Sequence, residues 1–174
     1  TNAYLEHAES GSVNVVGDTT EGALLVAARK VGWTRENLEE HLPRVAELPF
    51  SSERKAMMTV HEVVGEDTLF DNMDFISITK GAPDKLIAWA THEHLPNGPQ
   101  PLSEERRERW YSEVNEMASE GLRVLGVAYR EHDEHPGEVL QEDIERNLVL
   151  LGLVGILDPS RPEAKEAVAV AKAA

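Results

Sequence analysis

Apolar residues recur with a helical period in several stretches of the chain. Residues 17–33 place leucine, alanine and valine at helical spacing, and Asp18 with Glu21 three positions later has the form of a capping box. The same pattern predicts a short helix over 34–43 that stops at a proline, and a long helix over 102–121 between a serine cap and a glycine. Predicted helices therefore lie in both halves of the chain.

Other stretches alternate with the two-residue period of strands. Two such stretches flank a polar turn within 44–65, and a third covers 74–80. These three are expected to pair as an antiparallel meander. Further strands are predicted over 122–130 and 148–158, the last apolar on both faces, whereas the Pro and Gly content of 92–101 predicts a loop.

The segment "ITKGAPDKL" (78–86) contains a lysine, Lys80, at a strand position where an apolar residue is expected. Strand alternation puts Lys80 on the same face as Ile76 and Ile78. Pro83 then suits the first turn of a following helix, where its missing N–H costs nothing. Lys80 is thus predicted at a strand-to-helix junction, with its stem along the apolar face and its amine reaching either water or a ligand.

Composition narrows the range of partners. The 174 residues suit one domain, or one domain plus a fragment of another. With 32 acidic and 17 basic residues, the net charge of −15 argues against nucleic acid and against direct contact with an anionic membrane. A phosphorylated ligand would need a local cluster of Lys and Arg. The chain has no cysteine, which excludes thiol catalysis and cysteine zinc sites.

Five short stretches occur together in a recognisable order. They are "GDTTEGALL" (17–25), "LPFSSERKAMM" (48–58), "ITKGAPD" (78–84), "EGLRVLGVAYR" (120–130) and "GILDPSRPE" (155–163). Together they resemble the nucleotide-binding domain of P-type ATPases, in particular the calcium-pump-like branch of cation-transporting pumps. The resemblance covers essentially the whole chain, and Lys-Gly-Ala-Pro and Asp-Pro-x-Arg-Pro-Glu are its specific motifs.

The resemblance implies an α+β fold with an antiparallel sheet of about six strands flanked by helices. It implies an ATP-binding domain over 1–156 that is inserted into a phosphorylation domain. Residues 157–174 would then form the hinge and the first helix of the return into that second domain, with Asp158 and Arg161 at the interface. The helix beyond the hinge is expected to pack poorly without its neighbouring strands.

The resemblance also assigns roles around the base of ATP. Phe50 matches the aromatic residue that stacks on adenine, although a core phenylalanine is the ordinary alternative. Glu21 matches an acidic residue near the adenine amino group, and its capping-box role competes for the same carboxylate. Lys80 matches the lysine that lines the nucleotide pocket, and Gly81 leaves the neighbouring backbone open.

Basic residues are expected near the phosphates. Lys55 and Arg123 match basic positions of the family, and Arg54 is an additional candidate; surface Lys and Arg are otherwise commonly solvated. Ser52 stands where related pumps often carry a basic residue, which predicts weaker phosphate binding. Gathering these side chains on one rim would supply the cluster that the net charge demands.

In such a pump this domain would bind ATP and present its γ-phosphate to an aspartate of the phosphorylation domain. The chain contains no DKTGT stretch, so binding without turnover is expected, and Mg²⁺ of Mg-ATP would be held mainly by the other domain. The implied partners are the phosphorylation, actuator and transmembrane domains of a bacterial plasma-membrane pump, with this domain in the cytoplasm. Affinity for ATP is expected to be weak, about 0.1 to 1 mM, or roughly 4 to 5.5 kcal/mol.

Two alternatives belong to other classes. The first is an α+β interaction or regulatory module that has kept the sheet and lost the nucleotide, which the acidic composition would suit. The second is a metal-dependent hydrolase built on His92, Glu93 and His94, or on the histidines of 132–135. Neither group has a third ligand at metal spacing, so no metal site is predicted. The chain also lacks P-loop, GxSxG and HExxH motifs.

Overall fold

A computed structural model describes residues 2–7, 13–65, 73–137, 146–157, 164 and 170–172. The helices are α1 (Thr19–Lys30), α2 (Arg35–His41), α3 (Pro83–Trp89) and α4 (Glu104–Ser119). The strands are β1 (Tyr4–His7), β2 (Val13–Val16), β3 (Arg44–Ser51), β4 (Ala56–Glu62), β5 (Phe75–Gly81), β6 (Ala90–Leu95), β7 (Gly98–Pro101), β8 (Arg123–His132) and β9 (Leu148–Ile156).

Seven of these strands form one sheet in the order β3-β4-β5-β8-β9-β6-β7. Neighbouring strands are antiparallel except β6 and β9, which run parallel. The predicted α+β fold, a sheet flanked by helices, is confirmed, and the meander of β3, β4 and β5 forms as expected. The sheet has one strand more than expected and one parallel pair.

The helix boundaries follow from local hydrogen bonds that the sequence predicts. Asp18 caps α1 by accepting from the backbone N–H groups of Thr20 at 2.9 Å and Glu21 at 3.2 Å. Ser103 caps α4 in the same way, and Gly121, with φ of 80°, follows its end. Both predicted helices are therefore confirmed at their starts.

The predicted loop over 92–101 is wrong. Strands β6 and β7 pair there as a hairpin, in which Leu95 is opposite Gly98. Two of the three prolines that suggested a loop, Pro99 and Pro101, lie on β7, the edge strand, where a missing N–H is tolerated. Pro96 and Asn97 form the turn, and Gly98, the first residue of β7, has φ of 98°.

A second, two-stranded sheet precedes α1 and was not predicted. Strands β1 and β2 pair antiparallel, from Tyr4 opposite Val16 to His7 opposite Val13. The hairpin packs on α1, where a Cβ on Gly22 would lie 2.2 Å from a Val15 methyl group. The close approach of hairpin and helix therefore requires glycine at position 22.

The two faces of the large sheet have different coverings. Helices α3 and α4 cover one face and bury the main apolar cluster, to which Leu86, Ile87, Ala128, Leu148 and Leu150 belong. Helices α1 and α2 lie over the opposite face of β4, β5 and β8, where they line a cavity with residues of those strands. The second face is the one that carries Lys80.

The predicted hinge residues Asp158 and Arg161 lie outside the described residues, as does most of the predicted C-terminal helix. Those assignments, and the division into 1–156 and 157–174, stay predictions. Within the described part of the chain, no helix is both long and apolar enough to cross a membrane.

Candidate functional site

An ion pair joins the end of β5 to the first turn of α1. The Lys80 amine donates to Glu21 Oε1, and the two side chains are only 17% and 13% exposed. Lys80 pairs with Met57 on β4 and Val127 on β8. All three line the cavity together with Ile78, so the predicted position of the lysine on an apolar face is confirmed.

Glu21 holds its charge because of its hydrogen bonds. Burial alone would raise the pKa of this carboxyl group, but hydrogen bonds from the Lys80 amine and the Asn2 N–H outweigh it and place the pKa below its ordinary value. The carboxylate of Glu21 is therefore charged near neutral pH.

The capping box that the sequence suggests is only half formed. Asp18 caps the helix, but the Glu21 carboxylate turns to other donors. Its Oε2 accepts from the backbone N–H groups of Asn2 at 2.7 Å and Ala3 at 3.0 Å, while Oε1 accepts from Lys80. Glu21 thus connects α1, the segment before β1 and the end of β5, a role that no local sequence signal indicates.

Gly81 permits the turn between β3 and β4 to approach the strand-to-helix junction. A Cβ at position 81 would lie 2.5 Å from the carbonyl oxygen of Lys55, and the Ala82 N–H donates to that same oxygen at 2.9 Å. Lys55 itself has φ of 53°, a left-handed conformation that is uncommon outside glycine. The backbone of Lys55 is therefore fixed beside Lys80 and Gly81.

Phe50 is not a core residue. Its side chain is 63% exposed at the end of β3, next to an irregularity in the pairing between Leu48 and Ser51. Leu48 pairs with Met58 and Ser51 pairs with Ala56, so the irregularity between them interrupts strand alternation at Phe50 and the pairing assigns its ring to neither face of the sheet. An exposed aromatic ring offers a flat surface for stacking.

Arg123 approaches the same region from β8. Its Nη1 donates to Thr20 Oγ1 at 3.1 Å, and Thr20 is the neighbour of Glu21 on α1. The sequence does not single out Thr20, since this contact joins positions 103 residues apart. The structure thus brings Glu21, Lys80 and Arg123 to one end of α1.

A cavity of about 600 Å³ adjoins the ion pair. Its volume falls in the usual range for small-molecule pockets, about 300 to 1,000 Å³. Strand residues form its floor, and apolar side chains of α1 and α2, including Leu24, Leu25 and Leu38, form its wall. A mostly apolar space with a partly buried ion pair at its margin suits a ligand that has both a flat apolar part and a charged part.

Comparison with known proteins decides the family. The family model of the P-type ATPase cytoplasmic domain N matches residues 1–163. The chain belongs to this family. The chain is thus an N domain, which confirms the resemblance seen in its sequence.

The relatives of this N domain are cation pumps. It is 40% identical over 157 residues to a calcium-transporting ATPase of Bacillus subtilis (strain 168), which covers 87% of this chain and 16% of the pump. It is 34% identical over 160 residues to calcium-transporting ATPase 1 of Lactococcus lactis, covering 92% of this chain and 17% of that protein. The cation-transporting ATPase pma1 of Synechocystis is 38% identical over 154 residues, with 88% and 16% covered. The chain thus spans about a sixth of the length of these relatives.

Arg54 contacts the connection between β3 and β4, in which it lies. Its Nη2 donates to the carbonyl oxygen of Pro49 at 2.8 Å, which closes the guanidinium over the β3–β4 connection. Its Nε is buried, with no hydrogen-bond partner among the described residues. The contacts of Arg54 are thus with its own turn, and its predicted place at the nucleotide stays a prediction.

The Glu93 carboxylate is fully engaged by α4. Arg106 donates to both of its oxygens, at 2.7 and 2.6 Å, and Trp110 Nε1 donates at 3.1 Å. His94 alternates to the other face of β6, where its Nδ1 is 2.8 Å from the Tyr129 hydroxyl. Across the described ranges no group of three or more His, Asp or Glu side chains is placed to hold a metal ion. Glu93 therefore anchors a helix.

Proposed function

We propose that this N domain binds ATP on the face of the sheet that carries Lys80, and presents the γ-phosphate to an aspartate of a neighbouring phosphorylation domain in a cation pump. The observation that carries the proposal is the Lys80–Glu21 ion pair at the margin of the cavity. Family membership supports nucleotide binding, and the pump relatives support ion transport as the process served.

The base of ATP is assigned to Phe50 and Glu21. The exposed ring of Phe50 stacks on adenine, a contact that needs a flat and accessible aromatic surface. The Glu21 carboxylate accepts from the adenine amino group. Guanine carries a carbonyl oxygen at the corresponding position, so the same carboxylate disfavours GTP.

The phosphates are assigned to Lys55, Lys80 and Arg123. A polyanion needs a local positive cluster on a molecule with a net charge of −15, and we assign these three cations to that cluster. In the free protein, Lys80 forms an ion pair with Glu21. When ATP binds, the Lys80 amine turns to the phosphates of the nucleotide. Phosphate oxygens suit the planar guanidinium of Arg123, and the lysines act as point charges.

Phosphoryl transfer is mostly positioning and charge stabilisation, so a domain that holds ATP contributes to the rate without a catalytic residue of its own. We assign residues 1–156 to this binding unit, and 157–174 with Asp158 and Arg161 to the connection with the phosphorylation domain. Actuator and transmembrane domains complete the pump, which places this N domain on the cytoplasmic side of the plasma membrane. Mg²⁺ accompanies ATP and is held mainly by the phosphorylation domain.

An amide chemical-shift titration tests the proposal. ATP should shift resonances around Glu21, Phe50, Lys80 and Arg123 saturably, with Kd on the order of 0.1 to 1 mM, and GTP should shift them less. Lys80→Ala should weaken binding about tenfold or more, because it removes a partly buried cation. Lys30→Ala is the matched control, since Lys30 is an exposed lysine at the end of α1.

A negative titration would favour the interaction-module alternative. If millimolar ATP moves no resonance beyond what added salt moves, the domain keeps the family fold without its ligand. Equal effects of Lys80→Ala and Lys30→Ala would instead place the nucleotide elsewhere on the surface.

A further inference from the structure

Asn2 sits in a ring of hydrogen bonds that ties the segment before β1 to strand β3. Its Nδ2 donates to Glu47 Oε1 at 2.9 Å, and its Oδ1 accepts from Arg44 Nη1 at 2.6 Å. Arg44 Nη1 also donates to Glu47 Oε2 at 2.8 Å, which closes the ring. Both ends of the Asn2 amide group are therefore engaged, and the side chain has one preferred orientation.

The ring fixes the backbone of Asn2 as well as its side chain. The neighbouring residue, Ala3, is fully buried, and Gly17 stands directly against it, since a Cβ on Gly17 would lie 3.0 Å from the Ala3 Cα. The two successive N–H groups of Asn2 and Ala3 therefore point in a set direction. Both of them donate to one atom, Glu21 Oε2.

This arrangement divides the two oxygens of Glu21 between two tasks. Oε2 is held by backbone donors, and Oε1 is left for Lys80. Without the backbone donors the carboxylate could rotate and offer either oxygen to the lysine. An acceptor that must discriminate between two bases needs a fixed direction, because a hydrogen bond weakens steeply when it is misaligned.

We propose that Asn2 is a positioning residue of the nucleotide site, which holds Glu21 so that Oε1 faces Lys80 in the free protein and the amino group of the base when ATP is bound. The inference rests on the proposed function. Asn2 acts through Glu21 and does not touch the nucleotide. Its contribution is to the preference for ATP over GTP more than to affinity for phosphate, because Lys55 and Arg123 lie outside the ring.

The test is the ratio of GTP to ATP dissociation constants in the Asn2→Ala protein. The ratio should fall at least about threefold, a coupling of the size expected between groups that share a hydrogen-bond network. Ser103→Ala is the matched control: it removes the N-cap of α4, whose helix lies on the opposite face, and should lower stability without changing the ratio. In a Glu21→Gln background, Asn2→Ala should change the ratio no further.

The pKa of the Glu21 carboxyl group, followed by carbon NMR, is a second readout that needs no nucleotide. It should rise in Asn2→Ala, because backbone N–H donors that favour the charged form are no longer held in place. If Asn2→Ala does not fold, Glu47→Ala removes the same support from β3 and leaves the segment that contacts Glu21 intact.

The outcomes separate the two proposals. Absence of ATP binding in the unmodified protein overturns the proposed function and this inference with it. Normal ATP binding with an unchanged base preference and an unchanged Glu21 pKa in a folded Asn2→Ala protein overturns the inference alone, and leaves Asn2 as a link between β3 and the segment before β1.

Discussion

At the scale of single residues, the carbonyl oxygen of Lys55 dictates the identity of residue 81. The oxygen occupies the space that a side chain would need, 2.5 Å from an ideal Cβ, and Ala56 crowds the same point at 2.7 Å. Neither obstacle is the flexible end of a long side chain. Relief therefore requires movement of the backbone that positions Lys55 and Lys80.

We expect Gly81→Ala to lower the free energy of unfolding by about 1 to 3 kcal/mol, the usual cost of forcing atoms into a packed site. It should also weaken ATP binding, because the backbone of Lys55 must shift. Urea unfolding and the ATP titration measure the two effects. Gly152→Ala is the control, since a Cβ there meets nothing within 4 Å; equal losses in both variants would contradict the steric explanation.

Individual site residues differ in how far the sequence predicts them. The face occupied by Lys80 follows from strand alternation, which is a local property. The bonds from Glu21 to Asn2 and Lys80 join positions 19 and 59 residues apart, and no local pattern encodes them. Exposure of Phe50 is equally non-local, because it depends on which strands lie beside β3.

At the scale of elements, helix α4 is fastened to β6 by a buried carboxylate. Glu93 is 1% exposed and receives its bonds from Arg106 and Trp110. Hydrogen bonds from Arg106 hold the pKa of Glu93 below its ordinary value, although burial acts in the opposite direction. The anchor is therefore charged when the domain is folded near neutral pH.

Glu93→Gln should lower the free energy of unfolding at pH 7 by about 1 to 3 kcal/mol, through loss of charge-assisted hydrogen bonds. The folded pKa lies below the unfolded value of about 4.3, so the contribution of Glu93 is complete above that value and is lost as pH falls through the folded pKa. The difference between the two proteins should shrink on acidification. Urea unfolding at neutral and acidic pH measures it.

Glu104→Gln is a matched control on the same helix. Glu104 also faces an arginine, Arg107, but at 3.6 Å and with 80% of its side chain exposed. Removal of its charge should lower the free energy of unfolding by no more than about 1 kcal/mol, the usual contribution of an exposed ion pair or of a carboxylate in the first turn of a helix. A pH-independent difference for Glu93→Gln would indicate that packing, and not charge, holds α4 in place.

Strand and helix boundaries were predictable where the residues lie on one clear face, as in α1, α4 and β5. The β6–β7 hairpin was not, because its prolines are typical of both loops and edge strands, and only the strand order of the sheet distinguishes the two cases. The parallel contact of β6 with β9 depends on the same global arrangement.

At the scale of the whole molecule, the net charge of −15 opposes the approach of ATP, whereas the cations of the proposed site act in the opposite direction at short range. Salt screens the long-range repulsion most, since the Debye length shrinks from about 30 Å at 0.01 M to about 8 Å at 0.15 M. We therefore expect the association rate constant for ATP to rise with ionic strength over this range. NMR line-shape analysis measures it, and a falling rate would mean that the local cluster dominates the field.

The register of β8 with β9 puts Arg123 beside the end of the last strand. Arg123 is paired with Ile156, the last residue of β9, so the proposed phosphate contact and the point where the chain leaves the sheet share one rung of the ladder. Paired residues lie about 5 Å apart. If this domain rotates relative to a domain joined to it beyond Ile156, the axis of rotation lies next to Arg123. A small rotation would then move the far end of this domain a long way, while Arg123 would move very little.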